Sequence, residues 1–293
     1  MELKATLKGH ISGIYKLLVE DDLLFSASGD GMLAAWDLKT FESAPFSVKV
    51  GLPIYAAAIQ NDKMLIGQGH GGIHVIDRES KKEIRHLKFH EKGVFDICYN
   101  PVQNHFYSTG GGGSLAVFDG DDFTLQIQIP LSDGKLRRLL LTEDNKHLIV
   151  TASDGNVHVL DTAYFNQLQT VHAHDGGTYS LAWMEGGKQL VTGGRDAHLR
   201  FWNFENNELK QTSNIPAHNY AIYDILPLAQ GLFASASRDR NVKIWDMNDL
   251  ENPERLKSDR TTTHGNSVNA LCKTDDFLIT AGDDRLIRIW KRD

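Results

Sequence analysis

Four sets of side chains in this 293-residue chain could, on type alone, activate a nucleophile. They are His10, Ser26 and Asp30; His174, Thr192 and Asp196; His218, Ser235 and Asp239; and His264, Thr280 and Asp284. A hydroxyl beside an imidazole that a carboxylate orients is the arrangement of acyl-transfer enzymes. The recurrence argues the other way. One active site needs one nucleophile, and here the set returns four times, each time ahead of a tryptophan (Trp36, Trp202, Trp245, Trp290). Such a set is expected to be scaffold, and no catalytic residue is assigned.

The run Gly110 to Gly113 in "STGGGGSLAVFD" raises phosphate binding, because bare backbone N–H groups can approach an anion closely. It lacks the Lys-Ser/Thr pair of a P-loop and opens no helix. "SDGKL" at 132–136 has a Gly-Lys pair but no upstream glycine. The thirteen histidines invite a metal reading. Five are a repeated turn residue, His74 and His158 share a third-strand position read as outward-looking, and His172 and His174 share a strand face. No carboxylate or cysteine stands at ligand spacing from them, so no metal and no cofactor is expected. Asp96 and Asp224 fall at matched first-strand positions, which points to architecture rather than acid–base chemistry. Cys98 and Cys272 also match, in units expected to lie too far apart for a disulfide; each reads as a small buried apolar residue.

The elements that must position these residues repeat. Short β-type runs end in "LAAWD", "IHVID", "LAVFD", "VHVLD", "LRFWN", "VKIWD" and "IRIWK", and the residues at the Trp position are spaced 40, 42, 42, 42, 43 and 45 apart. Repeats of about 42 residues mean an array of one supersecondary unit. Each unit begins with a polar turn, often ending in His (His10, His90, His174, His218, His264), and continues through β-rich runs separated by Gly, Asn and Asp. Four strands per unit is the reading. Composition agrees with a large globular core: 41% hydrophobic and 24% charged residues. The net charge of −7 argues against a broad nucleic-acid surface. No stretch is apolar for long enough to cross a membrane as a helix. With two cysteines and no apolar leader, a reduced, cytoplasmic compartment is expected.

The Gly-His start, the "SASGD" or "SASRD" turn and the Trp-Asp end resemble WD40 repeats, over Glu2 to Trp290. The resemblance is strong in units 1, 5, 6 and 7 and degenerate in units 2, 3 and 4. It implies one all-β domain over 1–293: a seven-bladed β-propeller of four-stranded antiparallel blades. The N-terminal "ELKATLK" is expected to close it as the missing fourth strand of the last blade. The resemblance also implies that His, Ser/Thr, Asp and Trp form a hydrogen-bond network within a blade. Unit 2 has Val50 for His and Ile76 for Trp. Unit 4 has Ser132 and Leu160, and unit 3 has Gly112 for Asp and Phe118 for Trp. The turn before the third strand reads as one residue shorter in units 2 and 4, with "SDGN" as a two-residue hairpin turn. Blades 2 to 4 are expected to be locally less stable.

One column differs from ordinary packing. Directly after the apolar residue that opens each first strand come Tyr15, Tyr55, Phe95, Arg137, Tyr179, Tyr223 and Asn269. Strand alternation turns this column away from its apolar neighbours. In WD40 propellers the matching position lies near the channel mouth where partner peptides are gripped. Aromatics there suit a cation clamp or interface anchors, although they could equally pack on one another with Arg137 among them. Arg195 and Arg238, with Tyr179 and Tyr223, could add a basic patch for an acidic or phosphorylated segment, or the two arginines could pair locally with Asp196, Asp239 or other acids of that face. The resulting expectation is a non-enzymatic, monomeric scaffold for a protein or peptide partner. The alternatives are an enzyme, or a small-ligand or anion site at the mouth or on blades 5 and 6.

Overall fold

The computed structural model describes residues 1–184, 186–257 and 262–292. Twenty-eight strands among them form seven four-stranded antiparallel sheets, the blades of a seven-bladed β-propeller. Six blades take their four strands in chain order. In the seventh, Val268–Lys273, Phe277–Gly282 and Leu286–Lys291 are joined by Glu2–Lys8, which pairs antiparallel with Leu286–Lys291 and covers an edge that would otherwise lie open.

Burial explains the strand composition. The second strand of every blade, such as Leu23–Ser28 or Phe277–Gly282, is buried at all but its first residue. Strands covered on both faces read as near-continuous apolar and small residues, which is why these runs do not alternate. The fourth strands, such as Leu125–Pro130 and Gln167–His172, are mostly exposed.

Contacts within the chain define two compact units, Met1–Ile54 with His218–Asp293, and Tyr55–Ala217. In the first, blade 6 packs on blade 7 through Val242, Ile244, Val268, Leu278 and Trp290, and blade 7 packs on blade 1 through Leu7, Ile279, Ile287, Leu24 and Trp36. In the second, Val75 and Phe106 join blades 2 and 3, Tyr107 and Val150 join blades 3 and 4, and Val159 and Trp202 join blades 4 and 5. Two aspartates, Asp96 buried and Asp224 half-buried, pin blades together across these cores. Asp96 Oδ2 accepts the Leu139 N–H of the next blade at 3.0 Å, and Asp224 Oδ2 accepts the Leu271 N–H at 2.8 Å. The matched positions of Asp96 and Asp224 are thus architectural.

Three sequence expectations are corrected. The turns before the third strands are not shorter in blades 2 and 4: Gly71 N–H donates to Gln68 O and Gly155 N–H to Ala152 O, as Gly31 N–H does to Ser28 O in blade 1. Blade 4 therefore keeps its turn carboxylate, Asp154, which accepts a hydrogen bond from Ser132 Oγ at 2.7 Å. Second, His74 and His158 do not look outward; they are buried, at 9% and 2% exposed. Third, Cys272 is buried but Cys98 only half so, and neither forms a disulfide.

Candidate functional site

In blades 1, 5, 6 and 7 the four repeated side chains do meet. The Trp36 indole N–H donates to Ser26 Oγ at 2.8 Å, Ser26 Oγ lies 2.7 Å from His10 Nε2, and His10 Nδ1 lies 3.0 Å from Asp30 Oδ2. The His174, His218 and His264 sets repeat this within a few tenths of an ångström. Each carboxylate also accepts backbone N–H groups, as Asp30 does from Ile11 and Met32. Burial pushes the imidazoles of His174, His218 and His264 down, and their aspartates only partly offset it. Burial by itself would raise the carboxyls of Asp196, Asp239 and Asp284. The hydrogen bonds, led by those from the histidines, more than offset this and hold them well below the usual range. Arg200 and Arg288 reinforce two of these carboxylates at 2.7 and 2.8 Å. Hydrolase-like geometry does not make a hydrolase here: the four hydroxyl-bearing residues are 0% exposed and each hydroxyl already accepts a Trp N–H.

Blade 3 keeps half of the network. His90 Nε2 lies 2.8 Å from Ser108 Oγ, while His90 Nδ1 is buried with no hydrogen-bond partner, since Gly112 stands where other blades have Asp. Burial pushes the His90 imidazole down to about 4. The glycine run is explained by packing. A Cβ on Gly113, at φ 83°, would sit 1.8 Å from Ser132 O, so only glycine fits. At Gly112 a Cβ would meet nothing within 4 Å.

The aromatic column acquires a cause that alternation alone did not reveal. The first strands of blades 1, 3, 4, 5, 6 and 7 each carry a register shift at the column residue. In blade 5, for example, Thr178 pairs with Gly194 and Ser180 with Gly193, so Tyr179 is the extra residue between them. A β-bulge re-aims its extra residue and twists the strand. Tyr15, Tyr55, Phe95, Arg137, Tyr179 and Tyr223 are half-buried; Asn269 is buried.

In the unit Tyr55–Ala217 the column forms one stack. The Tyr55 and Phe95 rings lie 5.5 Å apart with planes 20° from parallel. The Arg137 guanidinium sits 5.0 Å from the Phe95 centroid and 4.9 Å from that of Tyr179, between the two rings. Lys135 Nζ lies 5.6 Å from the Phe95 centroid. Arg195 is exposed, its stem against Gly176. In the other unit, Tyr15 packs across Gly13 and Gly29. Asn269 Nδ2 donates to Ile14 O at 3.1 Å and Asp283 Oδ1 at 2.7 Å, tying blade 7 to blade 1. Arg238 is exposed and lies 5.7 Å from the centroid of Tyr220, itself 57% exposed. The carboxylates beside Arg195 and Arg238 in sequence, Asp196 and Asp239, accept hydrogen bonds from His174 with Arg200, and from His218.

A propeller four of whose seven blades close on a buried Ser/Thr–His–Asp–Trp network is a repeat scaffold of a defined kind. The family model "WD domain, G-beta repeat" (WD40) matches residues 1–37, 81–119, 165–203, 209–246 and 257–291, more than half of the chain. The chain belongs to the WD40 repeat family. The stretches between matches, 38–80 and 120–164, hold most of blades 2 and 4, which lack the turn histidine and the tryptophan. Among curated relatives, WD repeat-containing protein 55 of Rattus norvegicus is 22% identical over 79% of this chain and 62% of its own. Actin-interacting protein 1 of Drosophila melanogaster is 23% identical over 90% and 52%. Protein transport protein sec13 of Aspergillus clavatus is 26% identical over 49% and 56%. The chain thus spans about half to three-fifths of these relatives' lengths. No catalytic family is indicated by these matches, and no helix among the described residues is long and apolar enough to cross a membrane.

Proposed function

We propose that this chain is a non-enzymatic interaction scaffold that docks a protein or peptide on the bulged aromatic column. The observation that carries this reading is the Phe95–Arg137–Tyr179 sandwich, extended by Tyr55. Three half-buried aromatic rings at the starts of consecutive or neighbouring first strands give rigid, amphipathic contact area that loses little side-chain entropy on binding. A cation already occupies the space between two of the rings, and Lys135 and Arg195 stand on the same three blades. The docked segment is therefore acidic rather than basic: a partner lysine or arginine would meet like charge, whereas a carboxylate or phosphate would pair with the guanidinium edge. Tyr15 and Tyr223, on the bulges of blades 1 and 6, and Arg238 are the further contacts in this reading; Asn269 serves by holding its bulge in place. The family's relatives, one of them an actin-interacting protein, favour protein partners as a class. A monomer in a reducing compartment such as the cytoplasm is part of the same proposal, in keeping with two cysteines that are not joined in a disulfide.

Capture of partners from native lysate tests it, comparing wild type with Phe95→Ala/Tyr179→Ala at matched thermal stability. The double variant should lose most of the specifically recovered protein. Equal recovery of the same partners by both forms would remove the aromatic column from consideration.

A further inference from the structure

Blade 2 lacks the turn histidine and tryptophan, and in their absence it has assembled a different polar cluster. His74 lies on the third strand, Ile73–Asp77, and Glu83 and His86 lie on the fourth, Lys82–Leu87. His74 and His86 are direct cross-strand partners, with rings stacked at 4.4 Å and 12°. In an unbroken strand Glu83, three residues from His86, would point to the opposite face. A register shift prevents this: Val75 pairs with Arg85 but Ile76 with Glu83, so Ile84 is the extra residue and Glu83 returns to the histidine face. One ligand atom from each of His74, Glu83 and His86 then falls within 4.8 Å of the others.

Two features distinguish this cluster from an ordinary polar contact. His74 is 9% exposed, and neither ring nitrogen has a hydrogen-bond partner, although Nδ1 lies only 3.3 Å from Glu83 Oε1. Leaving such a group unsatisfied is destabilising unless something else engages it. The other blades supply the comparison. Blade 4 has the same bulge, but its residues at these three places are His158, Thr170 and Gln167, which bond among themselves: His158 Nδ1 lies 3.0 Å from Thr170 Oγ1, which accepts from Gln167 Nε2 at 2.7 Å. Blade 3 has Ala116, Gln128 and Leu125, and blade 5 has Arg200, Asn214 and Gln211. Among these four blades, only blade 2 presents three metal-ligating side chains there.

We propose that His74, His86 and Glu83 form a binding site for a first-row divalent transition metal of the zinc type. Two imidazoles and a carboxylate suit zinc, copper or nickel and disfavour magnesium or calcium. Tetrahedral ligands at about 2.1 Å from a metal stand about 3.4 Å apart. The rings therefore splay from parallel and close inward on the ion, which the exposed fourth strand allows. Gln68 stands behind the site. Its Nε2 is 3.5 Å from His86 Nε2 and its Oε1 is buried without a partner. With the amide turned over, Oε1 accepts the His86 Nε2–H and leaves the other ring nitrogen for the metal, the usual outer support of a ligating histidine. Water completes the coordination.

Calorimetric titration of the tag-free full chain with Zn2+ tests this, against Glu83→Gln/His86→Thr, which installs the self-bonded side chains of blade 4 and so preserves the fold. Wild type should bind one Zn2+ per chain, resist competition by Mg2+ and Ca2+, and gain melting temperature. The variant should match the metal-free wild type in melting temperature and bind at least about 100-fold more weakly. Absence of one-to-one binding by wild type, or a loss of less than tenfold in the variant, overturns the site.

Discussion

Gly112→Asp should stabilise the protein, although it places a charge in a turn that now has none. In the four complete blades the turn aspartate accepts three kinds of hydrogen bond: from the histidine Nδ1 at 2.8–3.0 Å, from the next backbone N–H (Ile11 at 2.9 Å, Gly265 at 3.0 Å), and from the N–H two residues on (Met32 at 3.0 Å, Asn241 at 3.0 Å). Position 112 has room for the side chain and its φ is not left-handed. The introduced carboxylate would therefore reach His90 Nδ1 and the N–H groups of Glu91 and Ser114. Satisfying the buried imidazole nitrogen contributes about 1–3 kcal/mol. Replacing glycine contributes about 0.4–1 kcal/mol through the unfolded chain. Partial desolvation of the carboxylate opposes these, so a net of about 2 kcal/mol is expected, or roughly 4 °C in melting temperature for a chain of this size. The gain should depend on pH. Folded His90 is held down at about 4, below its ordinary 6.5. In wild type, stability is lost as pH falls below about 6.5, where the unfolded imidazole takes up a proton that the folded one refuses, and this loss is complete near pH 4. A carboxylate at this turn raises the folded value, so the advantage of the variant should widen on acidification from 7 to 5. Thermal denaturation across pH, together with NMR titration of the His90 imidazole, measures both effects, with Gly112→Ala as the control that changes only the glycine term. An unmoved His90 titration, or a melting temperature no higher than that of Gly112→Ala, would refute the reasoning.

Hydrogen exchange should show blades 2 to 4 less protected than blades 5, 6, 7 and 1, since they hold incomplete networks; equal or better protection would sink that expectation. Asp224→Ala should cost about 2 kcal/mol, because the Leu271 N–H loses its acceptor between blades 6 and 7, whereas an exposed control such as Asp121→Ala should cost under about 0.5. Chemical denaturation of the two variants separates the outcomes, and equal midpoints would show that the aspartate pin contributes nothing.

The number of blades, their strand content and the closing role of Glu2–Lys8 were legible in the sequence, as was the Ser/Thr–His–Asp–Trp network. Recurrence at near-constant spacing exposes the repeat and its strand runs, whereas the bonding of the network was what the resemblance to WD40 repeats implied. Trp36 stands ten residues after Ser26, and every complete blade repeats that interval. Candidate binding residues were legible as a column, but the reason for it was not. The bulges that present Phe95, Arg137 and Tyr179, and the stacking of Arg137 between rings from the two neighbouring blades, depend on register and on packing between sheets. A one-residue register shift changes which face a side chain occupies while leaving the sequence pattern intact. The same reason hid the cluster in blade 2. Glu83 and His86 have the wrong parity to meet in a regular strand, and only the extra residue Ile84 turns Glu83 to the side where His74 lies buried. The sequence by itself determined the repeat and the recurring places of Ser/Thr, His, Asp and Trp within it. The tertiary structure decided which side chains meet across strands and between blades, because those contacts are set by hydrogen-bond register and close packing rather than by any interval along the chain.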